Sequence, residues 1–390
     1  MLNREIWGTR KCLKSGLIFH IAKFTFQSTS YSIKVAILEL FEDSSGISFA
    51  EWRNMRKQLR LSDSHHKLKR VLLMKKSKPV VLKLEGGLGN QLFELAAGYY
   101  VAAKLNVELH IDQYSIPLTT VHGETGSGFE PFEVLSLPNS KRVDLLPSLP
   151  SKIVARLARQ NTFIKRLVIK RRLFSSNPYN LKLFPESNEV ESTGKIFEIN
   201  EPVKLHGNFQ SWKIVEMAAQ FGFPRIFRLR NTPRWILELE KSIDFKNSLV
   251  LHFRVGDDTR TNSNFRQPEI EYYLQGLKVI KSNRDFSGTF ILSDDISRVK
   301  EMFGNKFGDE FQYLEMPNDS SPAERLYVLS LFGGIICANS TFCGWAAWSI
   351  YNSGGEVVVP VPYSDGPVLG SRDFPLKWHK IDKYSGKIVA

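Results

Sequence analysis

The chain has 390 residues, 42% hydrophobic and 12% aromatic, enough for two or three packed domains. Its formal net charge of +13 is uneven: residues 1–78 hold 16 Lys and Arg against 6 Asp and Glu, a net +10, leaving +3 for the body. Three scattered cysteines (Cys12, Cys337, Cys343) exclude a disulfide framework or zinc cage, and no apolar run reaches the roughly 18 residues of a membrane span.

Residues 1–78 read as a basic N-terminal extension, peripheral to the main fold. Within it Ile6, Trp7, Leu13, Leu17, Ile18 and Ile21 can share one helical face with basic residues opposite, suited to an anionic membrane surface. Lys11, Lys14 and Lys23 break up any signal peptide. Residues 79–84 then read as a buried strand. Gly86-Gly87-Leu88-Gly89-Asn90-Gln91 is a glycine-rich turn, and a helix runs to Leu105 with Leu92, Leu95, Ala96, Tyr99 and Ala103 at helical spacing. Residues 107–112 are the second strand. Glycines between strand and helix let backbone amides approach an anion. The turn is neither the dinucleotide fingerprint, since Leu92 stands at the third glycine, nor a P-loop, since no Lys-Ser/Thr follows.

Residues 113–150 read as loop and short helix. Residues 151–173 carry eight Lys and Arg and no acid, a solvated helical face or a surface for anionic lipid or acidic glycan. No nucleic-acid motif accompanies them. Residues 203–212 read as a strand ending in polar and aromatic groups, followed by helices over 214–221 and 232–242.

A second βα series starts at Leu249. The strand ends in His252, Arg254, Asp257 and Asp258, with Gly256 between them. His252 and Arg254 are two apart, so they point to one side of an extended chain. An imidazole and a guanidinium there suit a diphosphate. A helix over 272–280 leads to a strand over 288–292, which ends in Ser293-Asp294-Asp295. A helix over 323–332 leads to a strand over 335–338, which ends in Asn339-Ser340-Thr341. A helix over 345–351 and a strand over 357–360 follow. Polar residues at successive strand ends are the mark of a doubly wound sheet, whose ligands bind at those ends. Asn339-Ser340-Thr341 before a helix is a cap and also an amide-lined anion site.

The motifs Gly86-Gly87-Leu88-Gly89-Asn90-Gln91-Leu92-Phe93, Gly207-Asn208-Phe209-Gln210-Ser211, His252-Phe253-Arg254-Val255-Gly256-Asp257, Ser293-Asp294-Asp295 and Asn339-Ser340-Thr341-Phe342 onward to Trp348 occur in that order. Over about residues 80–365 the chain resembles the α-1,2-fucosyltransferases of glycosyltransferase family 11. It departs from that pattern at Val255, Asp258, Cys343-Gly344 and Arg325, where the family commonly has Arg, Tyr, Ser-Trp and Asp. These departures bear on acceptor choice and efficiency.

The resemblance implies a GT-B-like fold with two Rossmann-like domains facing a cleft. Residues 79–240 would form the acceptor-side domain and residues 241–390 the nucleotide-sugar domain. It implies GDP-fucose as donor, inversion at the fucose anomeric carbon, a galactose-containing acceptor and no metal or other cofactor. Arg254 is expected to stabilise charge on the departing phosphate, with His252 in support and with Ser340, Thr341 and Phe342 at the helix start. Asn90, with Gly87, Gly89 and Gln91, is expected to close over the donor from the other domain. Asp294 or Asp295 would hold ribose or guanine, or merely cap a helix. Asp257 and Glu85 are the alternative bases for the acceptor hydroxyl. Asn339 completes the donor set. Another nucleotide-sugar donor, or a binding protein without turnover, are the competing readings. With no anchor legible, the expected location is cytoplasmic or peripheral at the inner membrane face.

Overall fold

The computed structural model describes residues 78–84, 86–112, 134–143, 179, 181–184, 194–256, 266–363 and 374–389. The amphipathic face in 1–78, the basic stretch 151–173, most of the 113–150 and 259–268 stretches, Glu85, Asp257 and Asp258 lie outside them. Residues 77–390 pack as one compact unit.

Two parallel sheets organise this unit. The first is built from β1 (Val80–Lys83), β2 (Leu109–Asp112), β3 (Ser140–Val143), β4 (Lys182–Leu183) and β5 (Val203–Leu205), in the order β3-β2-β1-β5-β4. Every pairing in it is parallel. The long α1 (Leu88–Leu105) crosses from β1 to β2. Leu82 and Leu84 point into the core beneath it, as the alternating strand period requires.

The second sheet holds β6 (Ser248–Phe253), β7 (Gly288–Ser293), β8 (Phe311–Tyr313), β9 (Gly334–Ile336), β10 (Glu356–Val361), β11 (His379–Asp382) and β12 (Ile388–Val389), in the order β12-β11-β10-β9-β6-β7-β8. All neighbours are parallel except the closing β11–β12 pair. β6 is buried along its whole length, as a central parallel strand must be. Its helices are α4 (Ile270–Asn283), α5 (Ile296–Phe303), α6 (Pro322–Leu329) and α7 (Thr341–Asn352), while α2 (Trp212–Gln220) and α3 (Arg234–Ser242) span the stretch between the sheets. Sheet membership changes between β5 and β6. The fold is therefore the GT-B-like pair of Rossmann-like sheets.

One hydrophobic core spans both sheets, and a second packs against the second sheet alone. Phe93 of α1, Trp212 of α2 and Trp345 of α7 meet with ring centroids 4.9–5.3 Å apart. Trp348 stacks on Trp212 at 5.9 Å. Such rings bury large area in fixed geometry and hold three helices from both halves together.

Two expectations are corrected here. Residues 140–143, read as loop, form an edge strand. Ser-Lys-Arg-Val carries little apolar signal because only backbone pairing to β2 makes it a strand. The helix expected from Trp345 starts four residues earlier, at Thr341, so Phe342, Cys343 and Gly344 are helical.

Candidate functional site

In each sheet the strand order reverses at one place, between β1 and β5 and between β6 and β9. Loops leaving adjacent strands diverge there and open a crevice at the carboxyl ends, where such folds bind ligands. The first crevice is flanked by the Gly86-Gly87 turn and by residues 206–211. The second is flanked by Arg254–Gly256 and by 337–341. Four of the five motif segments therefore lie at the two reversals, and the fifth, Ser293-Asp294-Asp295, follows β7, the next strand beyond β6.

The first turn is tight. Gly86 sits at φ +71°, a conformation that costs L-residues. Its carbonyl accepts from Gln91 Nε2 at 2.8 Å. Gly87 is the N-cap of α1 and makes no side-chain cap bond. Gly89 has no room for a side chain, because a Cβ would lie 2.5 Å from the Phe342 amide nitrogen and 2.6 Å from Thr341 Oγ1. The starts of α1 and α7 thus abut. Trp345 Nε1 donates to the Gly89 carbonyl at 2.8 Å. Asn90 Oδ1 accepts from Thr341 Oγ1 and from Gln210 Nε2, both at 3.0 Å. Asn90 therefore ties together the segments after β1, β5 and β9.

At the second crevice, Arg254 leaves β6 with about a third of its side chain exposed. Its Nη1 is 3.8 Å from Asp294 Oδ2, too long for a closed ion pair. The Asp294 carboxylate has other work: it accepts from the Val255 and Gly256 amides at 2.9 and 3.3 Å. Its geometry is that of a latch on the turn displaying Arg254, not of an open ribose or guanine holder. Asp295 caps α5, accepting the Arg298 amide at 3.0 Å. Of the two readings for this pair, the structure gives Asp295 the cap.

His252 is only 5% exposed, lying under Phe342 with ring centroids 6.4 Å apart. Its Nδ1 is buried and finds no hydrogen-bond partner among the described residues. The helix start covers it, whereas about a third of the Arg254 side chain stays exposed. Asn339 is also buried; its Nδ2 donates to the Arg266 carbonyl at 2.7 Å, so it anchors the chain returning from the 259–265 loop. Ser340 is the N-cap of α7 by backbone conformation, with no side-chain cap bond. The Thr341 backbone at this helix start is hydrogen-bonded to Tyr363 instead.

Tyr363 was not singled out in the sequence. It follows Pro362 at the exit of β10, hydrogen bonds with Thr341 and lies in the field of Arg254. Burial pushes its phenol well up. No short motif marks such a residue, because its role comes from a contact 22 positions back in the chain. Cys337 and Cys343 are free and buried beneath the site. Burial pushes the Cys337 thiol up, so it is a neutral packing group.

A half-buried guanidinium, a helix start and a bridging amide thus come together at the paired sheet reversals. The chain is homologous to glycosyltransferases. It is similar to the alpha-1,2-colitosyltransferase of Escherichia coli, 28% identical over 319 residues that span 78% of this chain and 99% of the relative. It is also similar to the O-antigen biosynthesis glycosyltransferase WbnK of Escherichia coli, 22% identical over 274 residues, 68% of this chain and 88% of the relative. No family model matches the chain. Among solved structures, the NodZ alpha-1,6-fucosyltransferase soaked with GDP-fucose aligns at 13% identity with a TM-score of 0.40, over 70% of this chain and 93% of that one. The ADP-heptose LPS heptosyltransferase II of Escherichia coli aligns at 10% identity with a TM-score of 0.39, over 79% and 92%. Among the described residues no helix is long and apolar enough to cross a membrane.

Proposed function

We propose that this glycosyltransferase moves L-fucose from GDP-fucose to the 2-hydroxyl of a galactose-containing glycan, with inversion and without a metal. The observation that carries the reading is Arg254, displayed at the β6/β9 reversal by the Asp294 latch beside the start of α7. In the reaction the bond from the anomeric carbon to the β-phosphate oxygen breaks, and its electron pair leaves with GDP. The acceptor oxygen bonds to the opposite face of that carbon, and its proton passes to Asp257 or Glu85. Negative charge grows on the departing phosphate, so a fixed guanidinium and helix-start amides lower the barrier there. Asn90, bound to Thr341, carries the first sheet's turn over the same anion.

Similarity to the colitosyltransferase over nearly all of that relative's length favours a second reading: the same α-1,2 transfer with a colitosyl donor. The test is GDP release on incubation with GDP-fucose and a panel of galactosides, with and without EDTA, followed by linkage analysis. The account expects acceptor-dependent release that EDTA leaves unchanged. No release above the acceptor-free control across the panel argues against fucosyl transfer, and release only with the colitosyl donor selects the second reading.

A further inference from the structure

Beside Thr341 lies a small cavity of about 20 Å³. Its walls are Phe93, Trp212, Val359, Pro360, Tyr363 and Phe374, and its rim carries Gln210 and Thr341. The volume is roughly that of one or two water-sized groups, so a methyl fits and a whole ring does not. Such apolar lining gives a hydroxyl little to bind. The rim residues are the ones that meet at Asn90, and the Tyr363 wall reaches both Thr341 and the field of Arg254.

From this we infer that the cavity receives the methyl on C5 of a 6-deoxyhexose donor and is what selects a deoxy sugar over its hydroxymethyl counterpart. The inference rests on the transfer reading above and adds the group that decides donor choice. A methyl in an apolar pocket gains burial, whereas a hydroxymethyl must lose its water without a replacement partner. The walls are also stiff. Trp212 is packed between Phe93, Trp345 and Trp378, and a Cβ on Gly344 would stand 2.9 Å from its ring. The pocket has little freedom to widen for one more oxygen.

The experiment compares GDP-L-fucose with GDP-L-galactose, which differ only in that group, and measures GDP binding alongside. Wild type is expected to transfer the deoxy sugar about 10²-fold more efficiently, the scale on which an apolar pocket rejects an added hydroxyl. Val359→Thr keeps the shape and offers a hydroxyl, and should narrow the ratio several-fold with GDP affinity unchanged. Gly344→Ala should press Trp212 into the cavity and slow the deoxy donor. Bound GDP with equal transfer of both sugars by wild type, or a ratio that neither variant moves, overturns the pocket assignment and leaves the transferase reading standing. Failure of wild type to bind GDP at all removes the transferase reading, and this inference with it.

Discussion

Gly89→Ala tests the abutment of the two helix starts. An added Cβ would sit 2.5 Å from the Phe342 nitrogen, 2.6 Å from Thr341 Oγ1 and 2.7 Å from the Thr341 carbonyl carbon. Favourable contacts lie at about 3.5–4.0 Å, so α1 and α7 must part by roughly 1 Å. Two of the three clashing atoms are backbone at the start of a helix, so no side-chain rotation relieves them. Overpacking of this kind costs about 1–3 kcal/mol. For a unit of this size that lowers the melting temperature by roughly 1.5–5 °C. Displacing Thr341 by that distance also moves the α7 amides and the Asn90 bridge, and misplacement on that scale can cost about 10² in rate. Gly87→Ala is the control for stability, because nothing lies within 4 Å of its Cβ position. The assays are thermal unfolding and steady-state transfer. If Gly89→Ala melts and turns over like wild type and like Gly87→Ala, the helix starts do not meet as described.

Asp294→Ala removes the acceptor for two backbone amides and the partner beside Arg254. Both melting temperature and kcat should fall, the former by the equivalent of about 1–3 kcal/mol; lost GDP affinity at an unchanged melting temperature would mean that the carboxylate holds ligand instead. Away from the site, Ser385 and Tyr384 amides and the Ser385 hydroxyl donate to Asp382. The Ser385 amide foremost holds its carboxyl below the ordinary value. A depressed folded-state pKa means stabilisation that is present above the unfolded value and lost as pH falls through the folded one. Asp382→Asn should therefore flatten the loss of stability below about pH 4, read by thermal melts across acid pH, and an identical acid limb in both proteins would refute the linkage.

Much of this arrangement was legible in the chain. Residues 79–105 announce strand, turn and helix because an apolar run, clustered glycines and a helical period follow one another. β6, β7, β9 and β10 are central enough to be written in continuous apolar residues. β3 escaped because edge strands owe their form to pairing and tolerate Ser, Lys and Arg. The site was half legible. Arg254 and Thr341 were singled out from residue type and position at strand ends, and Asn90 from the family resemblance. Sequence cannot tell whether a strand-end carboxylate faces ligand or the neighbouring turn, and Asp294 faces the turn. Nor can it show that Phe342 roofs over His252, or that Tyr363 returns to Thr341. Each of those facts depends on which loops the strand order brings together.

The most direct measurement is kcat for Arg254→Ala with GDP-fucose and a galactoside acceptor, read beside GDP binding and thermal unfolding. With the leaving-group cation gone and the fold intact, kcat should drop by about 10²–10³. Wild-type turnover in a folded Arg254→Ala protein would contradict the account.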